Sequence, residues 1–321
     1  FLTVADTENE GLPGSDRQYV MVDPYGAYAT TSTTCYTYGA NVAGHRLFAP
    51  FNTTFAGVPY DAYRWYFDYY PSMGYAPQTV SLYPSGSQQL VTGSFQPGHS
   101  PQWYSAINQT KAEFLAVLNQ HSSSGYQLRE VQVSSLQGGA IRFNGIWARR
   151  TGTNPSTVLD DSDQSWQTRL QGEANNGRHP TDEFTYTEGG VRKHAGIFVG
   201  DGVPAGSWNP TWGRTLSSFN TFLAQEATFG RKPTSVSAEP PGNTTFGGMF
   251  TAAQGDWVLE TEIAGVSSFL RRESTHVQAG RRLYRVQGYG DGQKFAAIWV
   301  GGERPPSAII TSSGTATCGR A

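Results

Sequence analysis

A short apolar strand recurs along the chain with a small residue near its centre and an aromatic toward its end. It reads LVTGSFQPG at 90–98, RFNGIWARR at 142–150, KHAGIFVGD at 193–201, TFGGMFTAA at 245–253 and KFAAIWVGG at 294–302. The aromatics Phe95, Trp147, Phe198, Phe250 and Trp299 follow one another at intervals of 52, 51, 52 and 49 residues. Two positions before them stand Gly93, Gly145, Gly196, Gly248 and Ala297, and Ile146, Ile197, Met249 and Ile298 directly precede the last four. Small, apolar and aromatic positions held in register at one spacing mark a repeat architecture. The small residue is expected where neighbouring units crowd together and leave no volume for a larger side chain.

The residues between these strands predict the rest of the unit. In the second copy, Phe114, Val117 and Leu118 lie at helical spacing, and the run from Ser122 to Gly125 supplies a stop. Leu128, Val131 and Val133 then fall in a β-rich run, Gln137-Gly-Gly makes a turn, and Ile141 to Trp147 return as the second arm of a hairpin. The fifth copy repeats this, with Ile263, Val266, Phe269 and Leu270 on a helix, Leu283 to Tyr289 on a strand, Asp291-Gly292 in the turn and Phe295 to Val300 on the return. The fourth has Leu216, Phe219, Phe222 and Leu223 on its helix and Gly242-Asn243 in its turn. The third is built around Trp166 and Leu170 after an acidic DDSD run from Asp160 that favours a helix start. In YDAYRWYFDYY at 60–70, Tyr63, Tyr66, Phe67 and Tyr70 also have helical spacing, which favours a core stripe over a stacking platform for ligands.

A lone hairpin with one short helix cannot bury its apolar faces, so neighbouring units must cover them. The expected fold is therefore an α+β repeat: a closed, propeller-like ring of five or six units, each a helix plus a two-stranded antiparallel hairpin, half of a four-stranded blade with the helix in place of the outer strands. An open α/β solenoid of the same units is the alternative. Residues 1–55 form an N-terminal preface in which 18–55 resemble a degenerate sixth unit, 56–302 hold the five repeats, and 303–321 supply a closing strand or the start of a linker.

Charge and composition narrow the function. The 321 residues carry a net charge of -2 with 15% charged residues, which excludes the concentrated positive charge of a nucleic-acid or polybasic membrane surface. Arginine pairs at 149–150, 271–272 and 281–282 are scattered and read as solvated surface. No stretch approaches the roughly 18 apolar residues of a membrane span. With 13% aromatics, 38 glycines and sequons at Asn52, Asn108 and Asn243, the profile suits a secreted, extracellular glycoprotein; no signal peptide stands at Phe1, from which either a processed mature chain or an intracellular one is expected. Cys35 and Cys318 lack further ligands at zinc spacing, so a disulfide joining the two ends of the domain is preferred to two free thiols and argues for ring closure.

Motifs for catalysis are sparse. Neither G-x-S-x-G nor S-x-x-K occurs, and GHSPQ at 98–102 reads as a loop. The six histidines are dispersed, and His194 fills the place that Phe143, Phe246 and Phe295 hold in sister repeats, so a packed side chain is expected there. Asp160, Asp161, Asp163 and the TDEF run at 181–184 are the carboxylates that a multi-repeat acid and base would draw on, although the aspartates read better as a helix start. GYGDG at 288–292 and GDGVPAG at 200–206 lack the strand-to-helix context of a phosphate loop and read as turns. No catalytic, cofactor-binding or metal-binding residue is assigned.

The strings GYQLREVQV with IRFNGIWARR, and RRLYRVQGYGDGQKFAAIWV, resemble the unit of bacterial tandem repeat domains over roughly residues 60–302. A similar array forms the N-terminal domain of fungal polyglycine hydrolases, secreted serine proteases that cleave Gly-Gly bonds in plant chitinases. In that family the nucleophile stands in an S-x-x-K motif of a separate C-terminal domain resembling β-lactamases. The resemblance implies a noncatalytic, monomeric accessory, recognition or scaffold domain without a cofactor, whose partners are the protease domain and an unidentified protein or glycan ligand. A freestanding, glycosidase-like hydrolase with carboxylates from several repeats is the alternative.

Overall fold

Each repeat begins one element earlier than the hydrophobic pattern suggests, with a strand that precedes the helix. The computed structural model describes residues 3–6, 18–22, 28–32, 53–72, 75–97, 103–149, 153–200, 202–204, 206–239, 244–253 and 255–301. Three short strands, β1 (Thr3–Asp6), β2 (Gln18–Val22) and β3 (Tyr28–Ser32), come first. The first repeat is β4 (Thr53–Pro59), α1 (Tyr60–Ser72), β5 (Tyr75–Ser85) and β6 (Gln88–Pro97). The second is β7 (Trp103–Gln109), α2 (Lys111–Ser123), β8 (Tyr126–Ser135) and β9 (Ile141–Arg149); the third is β10 (Thr153–Ser162), α3 (Asp163–Asn175), β11 (His179–Glu188) and β12 (Val191–Gly200). The fourth has β13 (Trp208–Arg214), α4 (Leu216–Thr228), an interrupted strand β14 (Arg231–Pro233) and β15 (Ser237–Glu239), and β16 (Thr245–Ala252). The fifth is β17 (Asp256–Ala264), α5 (Gly265–Gln278), β18 (Arg281–Tyr289) and β19 (Lys294–Gly301).

The unit is thus a three-stranded antiparallel sheet rather than a two-stranded hairpin. Its last strand is central, flanked by the strand before the helix and the strand after it, in the order β7-β9-β8 and its equivalents. The first sheet is wider, because β1, β2 and β3 extend it beyond β4 in the order β1-β2-β3-β4-β6-β5. This is what the described part of the 18–55 segment forms, while HRLFAPF at 45–51 and the 303–321 tail lie outside the described residues. Ile263 belongs to β17 and Asp160 and Asp161 to β10, so the helices of the fifth and third repeats start later than their sequences suggest.

Local chemistry sets the starts of the second, third and fourth helices. Thr110, Ser162 and Thr215 each accept a backbone N–H of the first turn through their side chains, and Thr110 forms a reciprocal capping box with Glu113. One turn in, each helix places an aromatic against its own sheet: Tyr63, Phe114, Trp166, Phe219 and Phe269 are all buried. Removing one of these rings would cost about 3–5 kcal/mol.

The helix lies across a face of its sheet, not at the outer edge, which the additional strand occupies. Its other side is covered by the next repeat. Ile107, Leu136 and Ile146 of the second repeat pack on the core of the first, and Leu159, Phe184, Tyr186, Ala195 and Ile197 of the third pack on the core of the second. Trp208 and Trp212 of the fourth cover the third, and Tyr289, Ala296 and Ile298 of the fifth cover the fourth. Ala56, Tyr83 and Leu90 of the first repeat pack in turn on the core of the fifth.

The repeated small residue answers to crowding inside its own unit. A Cβ on Gly93 would lie 2.3 Å from the Thr79 carbonyl oxygen, one on Gly248 2.4 Å from that of Ser235, and one on Gly196 2.3 Å from the Trp166 ring. At Gly145 the obstacles are Phe114, Trp147 and Leu128, at 2.8 to 2.9 Å. All of these groups belong to the same repeat as the glycine, so the expectation that a neighbouring unit imposes the demand is corrected.

Candidate functional site: charged side chains gathered between the repeats

The second outer strand of each sheet, the one after the helix, carries an irregularity at the same place. Pairing slips between Pro77 and Thr79, Leu128 and Glu130, Pro180 and Asp182, and Leu283 and Arg285. In the interrupted strand of the fourth repeat, the N–H groups of Thr234 and Ser235 both reach the Met249 carbonyl, at 2.8 and 3.4 Å. A bulge of this kind sets two residues against one and re-aims the side chains beside it. The residues that follow the extra one are Thr79, Glu130, Asp182, Ser235 and Arg285, one from each repeat and all buried.

These side chains and their neighbours join the repeats to one another. Thr79 Oγ1 donates to Glu130 Oε1 at 2.7 Å, and the N–H of Val131 donates to Asp182 Oδ2 at 2.9 Å. Thr185 and Ser237 share a hydroxyl hydrogen bond of 2.7 Å, and Gln287 exchanges two hydrogen bonds with the Ala238 backbone. The N–H of Gly288 in the fifth repeat donates to Ser81 Oγ in the first at 3.0 Å. Gln132 Nε2 reaches both Glu130 Oε1 (2.6 Å) of its own repeat and the Val286 carbonyl (2.9 Å) of the fifth.

Arg285 lies between the two carboxyl groups, 3.5 Å from Glu130 and 3.9 Å from Asp182. Burial favours the neutral form of a carboxyl, and it pushes Asp182 up to about 7 despite the opposing pull of Arg285. Burial likewise raises Glu130, against Arg285 and the hydrogen bonds from Thr79 and Gln132. One guanidinium facing two buried carboxyls leaves a surplus negative charge that a single shared proton cancels. The space among these residues is a cavity of about 10 Å³, room for about one water molecule and none for a substrate. Larger hollows, of about 560 and 430 Å³, lie at the surface beside α3 and α5, each with an arginine and a carboxylate paired across it at 3.2 Å: Arg169 with Asp161, and Arg272 with Glu260.

A second buried cluster belongs to the third repeat. His194 is fully buried, as its place in the Phe series suggests, with Nδ1 3.1 Å from Glu183 Oε1 and Nε2 2.8 Å from Asp163 Oδ1. Its ring stacks on Trp166 at 5.2 Å and meets Trp212 edge-on at 5.1 Å. Glu183 stands opposite Gly196, where Val80, Val131 and Val286 stand opposite Gly93, Gly145 and Ala297. Burial raises the Glu183 carboxyl, and His194 opposes that shift. Arg192 continues the network, 3.3 Å from Asp163 and 2.8 Å from Glu239 of the fourth repeat.

The remaining sequence candidates separate. All ten repeat positions from Gly93 to Trp299 lie on the central strands, with Phe95, Trp147, Phe198, Phe250 and Trp299 fully buried. Asp160 pairs with Lys111 and Lys193 and Asp161 with Arg169, so neither reaches the charged cluster that Asp182 joins. Tyr63 and Tyr70 are core residues. Asn108 adopts a left-handed φ of 61°, donates from Nδ2 to Gln89 Oε1 at 3.0 Å, and shares its sequon with the capping residue Thr110. Cys35, Cys318, Asn52, Asn243 and the GHSPQ loop lie outside the described residues. Sequence reasoning missed Glu130 and Arg285; their only signal was a charged residue at the register position of Asp182, visible once the strands after the helices are aligned on their valines.

No curated protein sequence matches the chain significantly. A family model described as a polyglycine hydrolase-like structural repeat matches residues 53–97, 100–150 and 268–301. The first two matches span the first two repeats, and the third runs from within α5 to the end of β19. Residues 53–97, 100–150 and 268–301 are therefore copies of the polyglycine hydrolase-like structural repeat.

Proposed function

We propose that this chain is a noncatalytic recognition and scaffold domain of a secreted polyglycine hydrolase-like protein, working beside a β-lactamase-like serine protease domain. The observation that carries this reading is the state of the acid-base residues: Glu130, Asp182 and Arg285 are buried, bonded across three repeats and enclosed around about 10 Å³. Such groups hold units together; they do not meet a polymer substrate. The test is to compare residues 1–321 with the protease-bearing protein on Gly-Gly peptides, expecting turnover only from the latter.

One observation favours the second reading, a hydrolase assembled from several repeats, since Glu130 and Asp182 do converge from different units on Arg285. Glycan or peptide turnover by residues 1–321 that E130Q abolishes would decide for it. We further propose that the five units close into a ring, supported by the fifth-to-first bonds of Gly288 to Ser81 and of Thr54 to Glu273 at 2.6 Å. A Cys35 to Cys318 disulfide would tie the ends of that ring, and the intact mass should then rise by two hydrogens on reduction. Secretion and glycan addition at Asn52, Asn108 and Asn243 are testable by the mass lost on glycosidase treatment.

A further inference from the structure

We infer that a carboxylate-binding site lies where the strands after the helices begin, with Arg129 as its principal contact and an acidic peptide segment as its ligand. Arg129 is the extra residue of the second repeat's bulge, and it is exposed. The corresponding residues of the other repeats are Gln78, Thr181, Thr234 and Tyr284, so this level holds one cation and no acid. The Arg129 side chain makes neither a hydrogen bond nor an ion pair with any described residue.

Two further guanidiniums stand close behind it. Arg285 Nη2 donates to the Arg129 carbonyl at 3.4 Å, and Arg282 Nη1 donates to Gln96 Oε1 at 3.0 Å. Although Arg129 keeps an exposed edge, neighbouring protein partly desolvates its guanidinium, and with the positive charges of Arg285 and Arg282 against the pull of Tyr284 and Glu130 this holds it below the ordinary arginine range. Burial drives both carboxyls facing Arg285 toward neutrality, Asp182 up to about 7. Positive charge therefore exceeds negative here, although the chain as a whole is at -2.

The ligand class follows from shape and field. A guanidinium presents two parallel donors that match a carboxylate. The Tyr284 ring lies 4.7 Å under the Arg285 guanidinium, with Trp257 edge-on to it at 5.1 Å, a flat aromatic wall beside the charge. A polyanion such as a nucleic acid would need positive charge spread well beyond one spot. Arg129 and Arg285 come from the second and fifth repeats, 156 residues apart in sequence, and the fold brings them together.

This inference deepens the recognition reading and rests on it in assuming a bound partner; the assay below measures binding without turnover, so the two can fail separately. A fluorescein-labelled peptide Gly-Glu-Gly-Asp-Gly, amidated at its C-terminus, would be titrated by anisotropy at low salt, beside its Gln and Asn counterpart. The acidic peptide is expected to bind at least tenfold more tightly than the amide peptide. R129Q should weaken it at least fivefold with an unchanged unfolding midpoint, and R271Q, on the exposed side of α5, should leave it unchanged. If R129Q does not fold, R129K should give an intermediate loss, because it keeps the charge and loses the fork. Equal binding of the two peptides, equal losses in R129Q and R271Q, or displacement by inorganic phosphate more readily than by acetate would overturn the assignment.

Discussion

The Glu183 carboxylate lies 3.1 Å from Nδ1 of His194, and each residue replaces an apolar side chain of the sister repeats. The first, second and fifth repeats place Val80, Val131 and Val286 at the Glu183 position, and the second, fourth and fifth place Phe143, Phe246 and Phe295 at the His194 position. The two exchanges are coupled through one buried contact, so they should not act independently. E183V alone leaves His194 with Asp163 as its remaining charged neighbour, and H194F alone leaves a buried carboxyl; each should destabilise by about 3–5 kcal/mol. The double variant restores the apolar pair and should unfold within about 1 kcal/mol of the parent, or above it. Urea unfolding of all four proteins measures the coupling, and additive losses would contradict it.

Asp182 predicts a pH dependence with a definite sign. Its carboxyl is raised from 3.8 to about 7 on folding, so the folded chain holds a proton that the unfolded chain releases. The resulting stability is complete below about 4 and is lost as pH rises through about 7. The loss should approach ~1.4 kcal/mol per pH unit over that window, the limit for one proton. In D182N, where the Val131 N–H keeps an acceptor, this part of the slope should vanish. Unfolding at pH 5, 6, 7 and 8 compares the two directly.

Substitutions at glycine should divide by what a new Cβ meets. G93A drives a methyl to 2.3 Å from a backbone oxygen that belongs to a paired strand, so neither side can yield cheaply. A loss of about 3 kcal/mol or more is expected, at the upper end of overpacking. G172A, on α3 with nothing within 4 Å, should instead stabilise by roughly 0.5–1 kcal/mol. Thermal melts of the pair separate steric demand from general sensitivity.

Glu273 joins the fifth repeat to the first, accepting from Thr54 Oγ1 at 2.6 Å and from the Trp299 indole N–H. Burial raises its carboxyl against those two hydrogen bonds, and no cation among the described residues pairs with it. E273Q keeps the shape and one acceptor and should cost about 1 kcal/mol. E273A orphans two donors and opens a cavity, for a loss of about 2–4 kcal/mol. Amide exchange should then quicken first in β4 and α5, the two elements it joins.

Much of this arrangement was legible in the chain. Gly145, Ile146 and Trp147 and their counterparts announce the repeat because the central strand is covered on both faces, which leaves little freedom in residue type. Phe114 and Phe219 announce the helices for a similar reason. The strand before each helix was not legible, since Trp103–Gln109 is half-buried and slips register between Ala106 and Gln109, which breaks any alternation. Glu130 and Arg285 were missed because a charged residue in a strand ordinarily signals solvent. Only the meeting of the second and fifth repeats, 155 residues apart at this pair, puts them inside. Asp160 and Asp161 misled in the opposite sense: an acidic run suits a helix start and equally suits a half-buried strand whose carboxylates pair with Lys111, Lys193 and Arg169.

The bulge in the strand after each helix has an effect on how such a chain can change. One residue of slack lets Val80, Val131 and Val286 stay in step with the helix side of their sheets while the residue before each is Thr, Glu or Arg. Framework and lining are thereby decoupled. One folding code can present different chemistries along the strand after each helix, and a new set of residues there can be acquired one at a time without the hydrophobic layers having to be rebuilt.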